Sequence, residues 1–294
     1  MNNTFAPQRI VVATDFSDAS AEALRTAILV SDAFGAEISV VYADDFFPLP
    51  DEPRFDGSVL RAEAEVRLQR WAASHAPGHE IETAVIAGFP VTATLAAADA
   101  LHGDLLVLGT HVRHGFERLY LGSFAEAVLR SSHIPVLTVR RGMRAIRSIA
   151  CGVDCTDDAL PALKSAVAWG EVFHAQVTVV NVIEPNGAKG HNAGELEAWL
   201  PHDLRTRCQC KELVISGSAS DRLVAFAAAL KTDLIVIGGT RKQVGAAWAL
   251  PDITERVVRR ARCAVLAMIE QPPREGSRAL EPAVGERSSV TVMA

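Results

Sequence analysis

Residues 9–43, RIVVATDFSDASAEALRTAILVSDAFGAEISVVYA, return as residues 148–182, SIACGVDCTDDALPALKSAVAWGEVFHAQVTVVNV. Asp15 falls on Asp154, Leu24 on Leu163, and Val40-Val41 on Val179-Val180, at an offset of 139 residues. Further along, VIAGFPVTATLAAADALHGDLLVLGT from Val85 matches VISGSASDRLVAFAAALKTDLIVIGGT from Val214, and EAVLRSSHIPVL from Glu126 matches ERVVRRARCAVL from Glu255. There the offset is 129, so the second copy is ten residues shorter in the middle of the unit. A repeat of this length fixes the architecture before any local reading. The copies span about 10–141 and 147–269.

Within a copy, short β-rich runs alternate with amphipathic stretches, the pattern of βα units built around a parallel sheet. The runs in the first copy are 9–13, 37–42, 82–86, 104–108 and 135–139. Most are apolar throughout, as strands covered on both faces must be. Ala23, Leu24, Ala27, Ile28, Val30 and Phe34 recur at helical spacing, with Ser17 or Ser20 available as a cap. Leu60, Ala64, Leu68 and Trp71 mark a second helix, 91–101 a third, and about 116–132 a fourth. The fold class expected is therefore α/β: two tandem Rossmann-like domains, each a five-stranded parallel sheet flanked by four helices. The expected domains are 1–143 and 144–270, joined by the basic stretch RRGMRAIR (140–147). The Pro- and Gly-containing tail 271–294, without apolar periodicity, is expected to be disordered.

The chain has 294 residues, 49% hydrophobic and 22% charged, with 6% aromatics, so its core is aliphatic and wholesale disorder is excluded. A net charge of −6 offers no general attraction to nucleic acid or anionic lipid. No apolar run reaches the roughly 18–20 residues that span a bilayer, and the first residues lack a signal pattern. A cytoplasmic protein is expected. The five cysteines, Cys151, Cys155, Cys208, Cys210 and Cys263, are odd in number and confined to the second half, which argues for reduced thiols. Cys208, Cys210 and His202 also offer zinc-type donors, but neither C-x-C nor C-x(3)-C has the spacing of a strong zinc motif. Trp71, Trp169 and Trp199 fall in helical stretches and read as packing anchors.

Three features of the first copy converge on one sheet edge. They are Asp15 after the first strand, Tyr42-Ala43-Asp44 after the second, and GTHVRHGFERLYLGS (109–123) after the fourth. In open parallel sheets, ligands settle outside the carboxyl ends of strands where the strand order reverses. Gly122-Ser123 precede the last helical run, whose N–H groups can hold a phosphate. An acidic residue opposite can accept hydrogen bonds from a ribose or an adenine amine.

From IVVATDFS through DLLVLGTH and LGSFAEAVLRSSHIPVLTV, and again through IACGVD and DLIVIGGT, the chain resembles the universal stress protein family in its tandem two-domain form, over about 260 residues. Nucleotide-binding members carry an Asp after the first strand and a segment G-x-x-G-x(9)-G-[ST]. Asp15, Gly109, Gly122 and Ser123 match, while Val112 stands where the pattern has its second glycine. His111, Arg113, His114 and Arg118 bring charge to that loop, and guanidinium grips phosphate bidentately. The candidate binding set is Ala13, Asp15, Ala43, Leu108, Gly109, Val112, Arg113, Gly122, Ser123 and Phe124. In the second copy Gly238 aligns with Gly109, but Arg241 replaces the second glycine and Pro251-Asp252 replace Gly122-Ser123. Proline lacks an N–H and the carboxylate repels phosphate.

The resemblance implies ATP or AMP in the first domain, with Mg accompanying ATP, and a second domain serving mainly as interface. It further implies stress-linked regulation through unidentified protein partners, without assigned turnover. Pairing of the last strands, 135–139 and 264–269, would make an intramolecular pseudo-dimer, with homodimers of the whole chain also open. Two rivals remain: an interaction scaffold that holds no nucleotide, and a metal-dependent hydrolase using the Cys and His residues of the second domain.

Overall fold

The computed structural model describes residues 5–45, 57–110, 122–140, 142–184, 193–207, 210–240, 242–244, 247–249 and 252–270. The first half runs β1 (Arg9–Thr14), α1 (Asp18–Phe34), β2 (Glu37–Asp44), α2 (Gly57–His75), β3 (Glu82–Ala87), α3 (Pro90–Ala100), β4 (Leu105–Gly109), α4 (Ser123–Ser131) and β5 (Val136–Val139). After Arg9 every residue of β1 is buried, because α-helices cover both faces of the sheet. Ser17 caps α1 by accepting the Ser20 N–H, and Gly35 closes it at φ 70°, where a residue without Cβ is favoured. The fourth helix starts later than its periodicity predicts. Gly122 is extended, with φ −60° and ψ 146°, and α4 begins at Ser123, while residues 116–121 lie outside the described ones.

The second half runs β6 (Ser148–Val153), a 3-10 turn (Asp157–Ala159), α5 (Leu160–Val172), β7 (Gln176–Ile183), α6 (Ala193–Trp199), α7 (His202–Arg207) and β8 (Cys210–Ser216). It continues with α8 (Ala219–Ala229), β9 (Leu234–Thr240), β10 (Lys242–Val244), β11 (Ala247–Ala249), α9 (Asp252–Arg260) and β12 (Ala264–Glu270). It departs from four helices at the counterpart of α2, which Pro201 divides into the short α6 and α7. A hairpin, β10 against β11, follows β9, and β11 lies against α4 of the first half.

Ten strands form one sheet in the order β3-β2-β1-β4-β5-β12-β9-β6-β7-β8. Each half contributes five parallel strands, and the halves meet where β5 and β12 pair antiparallel through Thr138↔Val265, Leu137↔Leu266 and Val136↔Ala267. The expected pairing of the last strands is thus present, and the molecule is an intramolecular pseudo-dimer. In each half the order reverses between the first and fourth strands, β1 beside β4 and β6 beside β9.

Both faces of the sheet are joined at this pseudo-twofold axis. On one face Phe34 and Phe173, equivalent in the repeat, stand 5.9 Å apart with Trp169 wedged 5.4 Å from Phe34. On the other, the equivalent pairs Glu126/Arg130 and Glu255/Arg259 form a closed quartet with contacts of 2.8–3.1 Å. Arg140 donates to the Val258 carbonyl (3.2 Å) and to that of Arg259, closing the end of α9. Burial pushes its guanidinium below the usual arginine range. The basic joint is docked on the first half: the Met143 N–H donates to Thr26 Oγ1 at 3.3 Å, and Ile146 is buried. Among the described residues no helix is long and apolar enough to cross a membrane.

Candidate functional site

The carboxyl end of β1 is built by a local hydrogen-bond program. Asp15 Oδ1 accepts the Ser17 N–H (3.1 Å) and the Ser17 hydroxyl, an Asx-turn that swings the chain from strand to helix. The residue between them, Phe16, is forced to φ 63°, a left-handed conformation costing a bulky side chain about 1–2 kcal/mol. Its N–H donates to Thr14 Oγ1 (3.0 Å), whose hydroxyl bonds Ser20 Oγ (3.0 Å). Aromatic contacts offset the strain: Tyr42 lies 4.7 Å and Trp71 6.1 Å from the Phe16 ring, and the Arg67 guanidinium covers it at 3.9 Å.

Beside this turn lies a cavity of about 360 Å³ at the point where the strand order reverses. From the expected set it gathers Ala13, Asp15, Ala43, Gly109, Gly122 and Phe124. Thr14, Ser20, Tyr42, Asp45, Pro90, Thr94, Thr110 and Ala125 complete it. Leu108 is fully buried in the core behind β4, and Ser123 opens α4 as an exposed residue. Val112 and Arg113, with His111, His114 and Arg118, lie outside the described residues. Of the residues missed from sequence, Pro90 and Thr94 carried a signal: they sit one turn apart on the helix that follows β3.

The two glycines serve different ends. A Cβ on Gly109 would stand 2.2 Å from the Ala19 carbonyl oxygen and 2.7 Å from the Ser20 nitrogen, so α1 can approach β4 only over a glycine. The sequence reading gave that residue to ligand approach alone; helix packing demands it independently. A Cβ on Gly122 would meet nothing within 4 Å among the described residues. The first N–H groups of α4 have no intrahelical acceptor, and Gly122 offers no side-chain cap.

The second half repeats the scaffold with a partly changed lining. Asp154 Oδ1 accepts the Thr156 N–H (3.1 Å) and hydroxyl (2.6 Å), and Cys155 takes φ 56° between them. The paired aspartates are therefore turn-formers in both halves, whatever else Asp15 does. A Cβ on Gly238 would lie 2.9 Å from the Ala162 Cβ, the same helix-packing constraint as at Gly109. Ala13 and Thr94, however, are replaced by Gly152 and Leu223, and Leu223 Cδ2 sits 2.8 Å from where a Gly152 Cβ would be. Asp252 occupies the start of α9.

Two further aspartates, Asp104 and Asp233, escaped the sequence reading. Asp104 accepts the N–H groups of Gln8 (2.8 Å) and Arg9 (3.0 Å), and Asp233 those of Arg147 (2.8 Å) and Ser148 (3.0 Å). Each pins the start of its half's first strand. Among the cysteines, burial pushes the Cys151 thiol up to about 12 and that of Cys263 to about 11. Cys208 lies outside the described residues, and among those described no group of three His, Cys, Asp or Glu side chains is placed to hold a metal ion.

Comparison with known proteins places this geometry. A universal stress protein of Methanocaldococcus jannaschii is 34% identical over 140 residues, 46% of this chain and 82% of that protein. The crystal structure of a universal stress protein from Archaeoglobus fulgidus is 20% identical and superposes with a TM-score of 0.71, over 90% of this chain and 99% of that one. A universal stress protein solved in complex with cAMP is 31% identical, covering 47% of this chain and 100% of that one, with a TM-score of 0.37. The family model for universal stress proteins matches residues 7–140 and again 145–268. Two copies of that domain, fused through β5 and β12, make this chain a tandem member of the universal stress protein family.

Proposed function

We propose that the chain binds one adenine nucleotide, AMP or ATP, in its first half and uses occupancy of that site to regulate protein partners, without turnover of its own. The observation that carries this reading is the cavity at the β1/β4 reversal, where an apolar floor meets an acidic turn and an uncapped helix N-terminus. Its volume of about 360 Å³ falls at the lower end of the roughly 300–1,000 Å³ typical of small-molecule sites, a size suited to a nucleoside. Ala13, Ala43, Pro90, Phe124 and Ala125 offer apolar surface to a base. Asp15 and Asp45 offer acceptors for ribose hydroxyls or an exocyclic amine, and the α4 N-terminus favours a phosphate. Magnesium would accompany ATP as its counter-ion and would be held by the phosphates.

Paired substitutions test the assignment. Asp15→Asn retains an oxygen for the Asx-turn but removes the charge, and Asp154→Asn makes the same change in the second half. In equilibrium dialysis with AMP, Asp15→Asn weakens binding by about 1.5–3 kcal/mol, the range for hydrogen bonds to charged groups. Asp154→Asn leaves it unchanged. Equal effects of both changes, or of neither, would refute the placement in the first half.

A further inference from the structure

We infer that the residue pair at the positions of Ala13 and Thr94 decides which half of the molecule holds a ligand, and that Leu223 is a built-in plug closing the second half. This rests on the reading of the first-half cavity as a nucleotide site, and supplies the reason for one site in a duplicated chain. Ala13 is the penultimate residue of β1 and Thr94 sits on α3; both line the cavity. Their repeat equivalents are Gly152 on β6 and Leu223 on α8. Thr94 and Leu223 are each 2% exposed, so burial alone does not separate them. What differs is the space each leaves over the adjoining strand.

Leu223 reaches across that space. Its Cδ2 stands 2.8 Å, and Cδ1 3.8 Å, from the place of a Gly152 Cβ, so the leucine rests on the bare backbone of β6. The two replacements complement each other: the strand residue loses its methyl group and the helix residue gains a longer, wholly apolar side chain. A β1-type alanine at 152 would force the leucine aside. Leu223 also joins the core formed with Ala150, Val180, Ile235 and Ile237, so the filled site is packed as ordinary interior. A short polar threonine at the same helical position leaves the first-half crevice open.

The test exchanges the pairs in the full chain and measures ligand uptake by equilibrium dialysis. Ala13→Gly with Thr94→Leu grafts the plug onto the first half and lowers AMP affinity by about tenfold or more, because an overpacked site must expel either leucine or ligand. The graft copies a packing that the second half already holds, and an unchanged melting temperature confirms that it folds. The reverse pair, Gly152→Ala with Leu223→Thr, is probed with adenosine, which lacks the phosphate that Asp252 would repel. Uptake then rises from one adenosine per chain to two. A graft that binds AMP as the wild type does, or a reverse pair that still takes up one adenosine, overturns the plug while leaving the first-half site intact. No AMP uptake by the wild type overturns the site itself and this inference with it.

Discussion

A methyl group on Gly109 would collide with the Ala19 carbonyl, whereas one on Gly122 would meet no described residue within 4 Å, and the two glycines look alike in the sequence. Gly109→Ala should therefore destabilise the protein by about 1–3 kcal/mol, the usual range for overpacking against a fixed backbone, while Gly122→Ala, at φ −60°, should leave the urea midpoint nearly unchanged. The reverse ranking would show that the glycine after β4 is there for the ligand alone. Asp15 was legible as an acidic residue at a strand end, but only the structure shows its carboxylate engaged in the turn with Ser17. The buried Cys151 thiol gives a prediction with a definite sign. Its pKa is raised in the folded state from its ordinary value near 9 to about 12. Stability from this group is thus complete below pH 9, where both states keep the proton, and is lost as the pH rises and the unfolded chain ionises first. Denaturant titrations between pH 9 and 11 should show a loss of about 1.4 kcal/mol per pH unit from this thiol. Cys151→Ala should remove that part of the slope.

The strands and helices were legible because burial on both sheet faces leaves long apolar runs, and because the same pattern occurs twice. Boundaries for β1 to β5 differ from expectation by one or two residues. The start of α4 was misplaced because apolar residues before Gly122 continue a helical spacing that the extended glycine interrupts. The division of α6 from α7 was written in Pro201 and went unread. Asp104 and Asp233 were hidden for another reason: an acidic residue before a strand reads as a solvated loop, and its backbone partners lie some 95 residues and 85 residues away. Asp104→Ala removes the acceptor for two N–H groups at the start of β1 and should cost about 1–3 kcal/mol in urea denaturation. No change would mean that water replaces the carboxylate at that exposed edge.

At the scale of the whole molecule, the repeat predicted the pseudo-dimer, and the structure shows how it is held. Pairing of β5 with β12 covers what would otherwise be two open edges. The Phe34–Phe173–Trp169 cluster seals one face, and the Glu126–Arg130–Glu255–Arg259 quartet bridges the other. The quartet is partly exposed, so each pair contributes no more than about 1 kcal/mol, and the strand and aromatic contacts dominate. Chains cut within residues 142–147 should then yield halves that self-associate in sedimentation, in low and high salt alike. Clean monomers of both halves would contradict the shared interface. The asymmetry between the halves was legible at Pro251-Asp252; the exchange of Thr94 for Leu223 was not, because on an amphipathic helix it looks like routine core variation.

The proposed single nucleotide site, in a molecule built from two copies of one scaffold, is tested most directly by calorimetric titration of the wild-type chain with AMP. Saturable binding at one AMP per chain is expected; two equivalents, or no saturable heat at all, would rule the single site out.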